Sequence, residues 1–253
     1  MFIDTHAHLT MPEYNDLNDV LARAREAKIE AIVNASFDLG SSEGSLKLAQ
    51  EHDFIYAAIG IHPHDADKVN EASMSEIRSM ANNKKVVAIG ETGLDYHYHK
   101  ETKDLQIEAF RKFLRLAREL NKPVIVHCRE AQEDTIKVMK EENKGDLRGV
   151  FHCFAGDDEL IDFAKEIGFY ISFTGTVTFK KAHQVRENVQ KTPIEMLLLE
   201  TDCPYLAPEP YRGKRNEPSY IPIMARAIAD LKRIPIEELA AATTKNARRL
   251  FSI

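Results

Sequence analysis

The sequence predicts an α/β protein of the (β/α)8, or TIM, barrel class, built as a single domain over residues 1–253. Three observations carry that prediction. Eight short apolar runs recur along the chain, each followed by an amphipathic stretch. Successive runs end 21 to 36 residues apart, the length of one strand-plus-helix unit. No low-complexity segment or linker separates two halves.

The runs are Phe2–Ala7, Glu30–Ala35, Phe54–Gly60, Val86–Glu91, Pro123–His127, Gly149–His152, Gly168–Phe173 and Met196–Thr201. They are rich in Val, Ile and Phe and nearly continuous, as expected of parallel strands buried on both faces. Between them, Leu17–Ala27 reads as a helix opening after Asp16. Thr102–Asn121 places Leu105, Ala109, Phe113, Leu116, Ala117 and Leu120 at helical spacing, with Thr102 as its N-cap. Asp157–Ile167 carries acidic residues in its first turn, which suits the positive end of a helix. After the eighth run the chain closes with Ile221–Lys232 and Pro235–Phe251, the second opening at a proline compatible with a first turn. Leu206–Ser219 holds Pro208, Pro210, Gly213 and Pro218, too many breakers for a helix. It is expected as a long loop over the mouth of the barrel, beside any active site.

Composition narrows the function classes. The chain is 43% hydrophobic and 29% charged, with 11 glycines and 10 prolines, so it is neither fibrous nor disordered. At this length about three quarters of the unfolded surface is buried, enough to fold without metal or disulfide staples. No apolar run approaches the ~18 residues of a membrane span, so no membrane association is expected. The N-terminus lacks a basic, then apolar, leader, so no signal peptide is expected. Three widely spaced cysteines, Cys128, Cys153 and Cys203, fit reduced thiols in a cytoplasmic protein. The net charge of −6 argues against a broad basic surface gripping long duplex DNA. It leaves room for a nuclease that takes a chain end in a locally positive, metal-loaded pocket.

Position then singles out the candidate site. Of ten histidines, His6, His8, His62, His64, His127 and His152 fall at or just after the ends of expected strands, as do Glu91 and Asp202. In a barrel that end is where side chains from different strands converge. Period-two alternation sends His6 and His8 to the same side of the first strand. Several unrelated buried histidines would be costly to leave unsatisfied, so metal binding is the better reading of His6, His8, Glu91, His127, His152 and Asp202. Each cysteine directly follows His127, His152 or Asp202 and is expected to face the helix layer instead. Imidazole and carboxylate ligands suit Zn, Mn or Mg. Four histidines and two carboxylates exceed the needs of one ion, and two divalent ions roughly 3.5–4 Å apart fit the count. Glu91 is the expected bridge, and Asp202 can both bind an ion and take a proton from a nucleophilic water.

Other residues keep two readings. His62 is read as a substrate contact, with ligand or solvated turn as alternatives, and His64 ranks lower. Arg129 points the same way as His127 and can hold an anion, or pair with Glu130, Glu133 or Asp134. Arg212, Lys214 and Arg215 form a phosphate clamp or are solvated charge. His97 and His99 belong to a loop after the fourth strand, with Tyr96 as a stacking surface, and His52 and His183 read as surface residues.

The segments Phe2-Ile-Asp-Thr-His-Ala-His8, Gly90-Glu-Thr-Gly-Leu-Asp-Tyr96, Val126-His-Cys-Arg-Glu-Ala131, Phe151-His-Cys-Phe-Ala-Gly156 and Leu199-Glu-Thr-Asp-Cys-Pro204 resemble the signature segments of the TatD family. They run in order across nearly the whole chain, with the Arg212–Pro218 loop also matching. The resemblance implies a metal-dependent deoxyribonuclease acting as a 3′–5′ exonuclease on single-stranded DNA and sometimes RNA. It implies the same six metal ligands. The family often has Ile where Thr92 stands, a position expected to face away from the site. Related amidohydrolase barrels often bridge two ions with a carboxylated lysine at the end of strand four; here Glu91 occupies that place and Ile89–His97 contains no lysine. The rival functions are a small-molecule amide, ester or phosphoester hydrolase, and a metal- or nucleic-acid-binding module without turnover.

Overall fold

A computed structural model describes residues 1–98 and 100–253; His99, read above as a loop residue, lies outside the described residues. Eight parallel strands follow one another in chain order around one sheet: β1 (Phe2–Ala7), β2 (Ile29–Ala35), β3 (Ile55–Ile59), β4 (Val86–Asp95), β5 (Val124–Arg129), β6 (Gly149–Phe151), β7 (Tyr170–Phe173) and β8 (Leu197–Leu199). Every apolar run became a strand. The ring closes between its first and last members through a narrow strip beyond β8. There the Asp202 and His8 N–H groups donate to the His6 and Cys203 carbonyls at 2.9 and 2.8 Å, and Ala7 bridges Cys203.

Helices α1 (Leu17–Glu26), α2 (Leu39–Glu51), α3 (Glu71–Ala81), α4 (Lys103–Glu119), α5 (Gln132–Glu142), α6 (Asp158–Ile167), α7 (His183–Lys191), α8 (Ile221–Lys232) and α9 (Ile236–Phe251) clothe the barrel. Their packing side follows from the apolar stripe: in α4, Ala109, Phe110, Phe113, Leu114, Leu116 and Ala117 are buried. Leu105, expected in that stripe, is exposed. In the first turn of α4 the inward place belongs to Gln106, whose amide bonds the Asp95 backbone of β4. Thr102 precedes α4 but makes no side-chain cap. Pro235 stands one residue earlier than expected, at the N-cap of α9 rather than inside its first turn. Asp157 caps α6 by accepting the Leu160 N–H at 3.1 Å.

Inside the barrel, Ile3, Val33, Ala58, Val87, Ile125, Val150 and Leu198 form one apolar cluster. Ala247, Leu250 and Phe251 of α9 pack against it and plug the N-terminal end. The remaining apolar side chains fill the layer between strands and helices. With the N-terminal mouth filled by hydrocarbon, buried polar groups collect at the other end. No described helix is long and apolar enough to cross a membrane.

Candidate metal centre

β1 supplies His6, and the chain leaving it supplies His8. The two Nε2 atoms meet at 3.1 Å, as a shared facing predicts. Both confront the same carboxylate oxygens: Glu91 Oε2 at 3.3 and 3.7 Å, and Asp202 Oδ1 at 3.7 and 3.3 Å. The other oxygen of Glu91 faces a second pair. Oε1 lies 2.7 Å from His127 Nδ1 on β5 and 2.7 Å from His152 Nε2 just past β6. Glu91 therefore divides its two oxygens between two groups of imidazoles.

Spacings of about 3.0–3.7 Å are those between neighbouring ligands of an ion with bonds of about 2.0–2.2 Å. The donor set thus fits divalent cations. Buried ring nitrogens crowd together here, and His6 Nδ1 and His152 Nδ1 have no hydrogen-bond partner among the described residues. Groups of three that could share an ion are His6, His8 and Glu91; His6, His152 and Asp202; Glu91, His127 and His152; and His62, Asp95 and His127.

The hydrogen bonds on the far side of each ring sort these histidines. His8 Nδ1 lies 3.0 Å from the Ala35 carbonyl, which can only accept, so that nitrogen carries the proton. His127 Nε2 lies 3.1 Å from Asp95 Oδ2, and His152 Nδ1, though not hydrogen-bonded among the described residues, faces Glu200 Oε1 at 3.5 Å, where a proton on that nitrogen is favoured electrostatically. In all three the nitrogen turned toward Glu91 or Asp202 keeps its lone pair when the ring is neutral. His62 is the opposite. Its Nδ1 accepts the His64 N–H at 3.2 Å, so in the neutral ring the proton sits on Nε2. That Nε2–H points at Glu91 Oε1 and His127 Nδ1, at 3.5 and 3.4 Å. Burial lowers the His62 pKa to about 3 and keeps the ring neutral. In that tautomer His62 turns a donor, not a lone pair, into the site, and joining the group with Asp95 and His127 around an ion would require its proton to move to Nδ1.

Electrostatics match this division. Burial opposes charge on Glu91 and Asp202, but the facing imidazoles outweigh it and hold both below the usual carboxylate range. Burial likewise disfavours protonated His8, His127 and His152, yet the adjacent carboxylates raise all three. Cations must therefore enter in competition with protons.

A buried layer of support lies beneath. Glu200 accepts the Cys153 N–H at 2.5 Å and the Ser172 hydroxyl at 2.6 Å. Asp4 accepts the Thr201 N–H at 2.9 Å and its hydroxyl at 2.6 Å, joining β1 to the segment that carries Asp202. Burial pushes the Asp4 carboxyl up to about 7.

Several expectations change. β4 does not end at Glu91 but runs on to Asp95, with a shift in register between Ile89 and Thr92. Gly93 makes the extension possible: at φ +146°, a Cβ there would sit 2.0 Å from the His127 carbonyl oxygen. The run expected to end at Thr201 ends as β8 at Leu199, so Asp202 stands outside regular strand, at φ +54°, a conformation aspartate tolerates better than most residues. Asp95, absent from the expected set, accepts from His127 and contacts His64 Nε2 at 3.0 Å. The only available signal was period-two spacing from Glu91 through Gly93, visible once the strand is known to continue. Thr92 is buried beside Val126, and Cys203 is buried, with Cys128 and Cys153 partly so.

The cations at the mouth do not act as one group. Arg215 makes a two-pronged ion pair with Asp16, at 2.6 and 2.9 Å, and donates to the Glu13 carbonyl. Arg212 and Lys214 are exposed, with the Arg212 guanidinium 4.4 Å from the Phe179 ring centroid. Arg129 makes no ion pair among the described residues. Two of its three alternative partners are taken: Glu130 contacts His97, and Asp134 holds Lys103 and the Tyr96 hydroxyl. The proline-rich loop is pinned to the barrel, since the Asn216 amide donates to the Thr201 and Tyr205 carbonyls and Glu217 pairs with Arg23.

Comparison with known proteins agrees with this architecture. The profile of a family described as TatD related DNase matches residues 3–252. The chain is 48% identical to an uncharacterized metal-dependent hydrolase, YabD, of Bacillus subtilis, with all of both chains covered. It is 35% identical to a protein of Erwinia tasmaniensis named 3′-5′ ssDNA/RNA exonuclease TatD, over 99% of each chain. Among solved structures, YJJV, a TatD homologue from Escherichia coli K12, superposes with a TM-score of 0.94 at 29% identity, covering 100% of this chain and 98% of that one.

Proposed function

The chain belongs to the family of TatD-related DNases, whose relatives are metal-dependent hydrolases, and from that premise we propose that it hydrolyses phosphodiester bonds in nucleic acid. The substrate class is the end of a single strand of DNA, with RNA second, attacked in the 3′–5′ direction. The observation that carries this reading is the division of Glu91, whose Oε2 serves His6 and His8 while Oε1 serves His127 and His152. One carboxylate shared in this way supports two divalent ions, Mg, Mn or Zn, held by His6, His8, Glu91, His127, His152 and Asp202. When bound, such ions lower the pKa of water toward neutrality and offset charge on phosphoryl oxygens.

The chain's own groups supply the rest. Asp202 turns Oδ1 toward His8 and His6, and its carboxylate takes the proton from the attacking water. His62 donates from Nε2–H to a phosphoryl oxygen, a role its neutral ring and fixed tautomer suit. Arg129, exposed and without an acidic partner among the described residues, binds a neighbouring phosphate. Arg212 and Lys214 extend that positive rim. Action in the cytoplasm fits the free thiols of Cys128, Cys153 and Cys203.

The test is digestion of end-labelled single- and double-stranded DNA and RNA by protein reconstituted with Mg, Mn or Zn, with products mapped. Stepwise mononucleotide release from 3′ ends of single strands is expected. Turnover of amides, esters or small phosphoesters without nucleotide release would replace this reading with that of a small-molecule hydrolase. No turnover of either kind would leave a binding module.

A further inference from the structure

Tyr98 and Tyr205 are 60% and 51% exposed and are two of the four large apolar or aromatic side chains exposed among the described residues. Both stand at the mouth. Tyr98 lies just beyond β4, its ring 5.8 Å from that of His64 and edge-on to it. Tyr205 lies just beyond β8, its ring 6.4 Å from that of His8. In a ring of eight strands in sequential order, β4 and β8 are diametrically opposed, so the two tyrosines flank the carboxylate–imidazole cluster from opposite sides. Each is tied to a group of the site. The Arg129 guanidinium is 4.9 Å from the Tyr98 ring centroid, and the Tyr205 N–H donates to the Asp202 carbonyl at 3.0 Å.

We infer that Tyr98 and Tyr205 each stack one nucleobase, gripping the two nucleosides on either side of the reacting phosphodiester. The inference rests on the nucleic-acid reading above and adds to it a physical basis for single-strand selectivity. An aromatic ring offers a stacking face to any base, independent of sequence. In a duplex every base is paired and all but the terminal one have both faces covered by neighbours, so a paired strand must first be unpaired and unstacked for both rings to be used. Arg129 over Tyr98 couples the stacked base to a cation that can hold its phosphate. The pair also sets a minimum substrate: two nucleosides joined by one phosphodiester.

The experiment uses single strands in which one nucleoside flanking the scissile bond is replaced by an abasic tetrahydrofuran unit. For the wild-type protein, removal of either base is expected to raise KM by roughly 5- to 100-fold. Tyr98→Ala should raise KM for the intact strand similarly and become indifferent to removal of one flanking base. Tyr205→Ala should become indifferent to removal of the other. Tyr98→Phe and Tyr205→Phe should keep wild-type KM, and metal content should not change in any variant. Because the chain contains no tryptophan, 2-aminopurine at either flank reports stacking directly by its quenching. Folded, metal-loaded alanine variants that digest single strands with wild-type KM and unaltered sensitivity to base removal would overturn the inference and leave the nuclease reading intact. A wild-type protein that digests no nucleic acid would overturn both.

Discussion

The His127 ring joins two carboxylates, with Nδ1 2.7 Å from Glu91 Oε1 and Nε2 3.1 Å from Asp95 Oδ2. Both carboxylates can only accept, so when a cation replaces the Nδ1 proton that faces Glu91, Asp95 keeps the remaining proton on Nε2 and the Nδ1 lone pair directed into the cluster. It also raises the basicity of that lone pair. Asp95→Ala should therefore weaken divalent-metal binding by about 10- to 100-fold. Asp95→Asn should cost less, because its amide oxygen can still accept from Nε2–H. Titration calorimetry with Mn2+ checks both, and wild-type affinity in the alanine variant would remove Asp95 from this role.

Glu91 should be the most sensitive position of the rim and cluster together. Glu91→Gln removes one charge from between two imidazole groups and weakens both at once. Its loss of turnover is expected to exceed that of any single change among Arg129, Arg212, Lys214 and Arg215. Metal content measured on the same preparation should fall alongside the rate. Full occupancy with wild-type turnover would refute a shared carboxylate.

Strand periodicity made the barrel legible, because parallel strands buried on both faces leave near-continuous apolar runs at unit spacing. Strand ends also brought Glu91, His127, His152 and the His6–His8 pair to one mouth in advance. Two things were not legible. A short-range shift in register carries β4 past Glu91 to Asp95, and no local pattern announces it, since Gly93 reads as a breaker until the nearby His127 carbonyl is known. Long-range pairing was the other. Arg215 sits 199 positions from Asp16, and Asp4 sits 197 positions from Thr201, so neither partner could be named from spacing. Charge at the mouth consequently looked like one group when it is two.

That division predicts different consequences for the loop cations. Neutralising Arg212 and Lys214 together should weaken polynucleotide binding and flatten its salt dependence by about one unit of slope per lost phosphate contact. Arg215→Gln should leave the slope unchanged and lower the melting temperature instead, because it strips Asp16 of its two-pronged partner and leaves only Arg23, at 3.5 Å. Arg215 foremost, with help from Arg23, holds the Asp16 carboxyl at about 2, below its ordinary 3.8. A depressed carboxyl contributes stability above its unfolded value and loses it as pH falls through the folded one. Wild type and Arg215→Gln should therefore differ at neutral pH and converge between about pH 4 and pH 2. Thermal melts across that window check the sign, and a constant difference would place the effect elsewhere.

Asp202 carries the last prediction. Its Oδ1 faces His8 and His6, at 3.3 and 3.7 Å, and the surrounding imidazoles hold it ionised despite burial. The segment that presents it is anchored independently of its side chain, through the Asp202 N–H to the His6 carbonyl and the Asp4 bonds to Thr201. Asp202→Asn should consequently keep its fold. Glu91, His127 and His152 do not depend on residue 202 for their mutual spacing, so one ion should remain bound. What the variant lacks is an anionic ligand for the other ion and a base for the water proton, a loss of about 10²- to 10⁴-fold in turnover. Circular dichroism, bound metal and turnover belong on one preparation. A folded Asp202→Asn protein that binds one ion and keeps more than about a tenth of wild-type turnover, well above that range, would show that the proton leaves by another group.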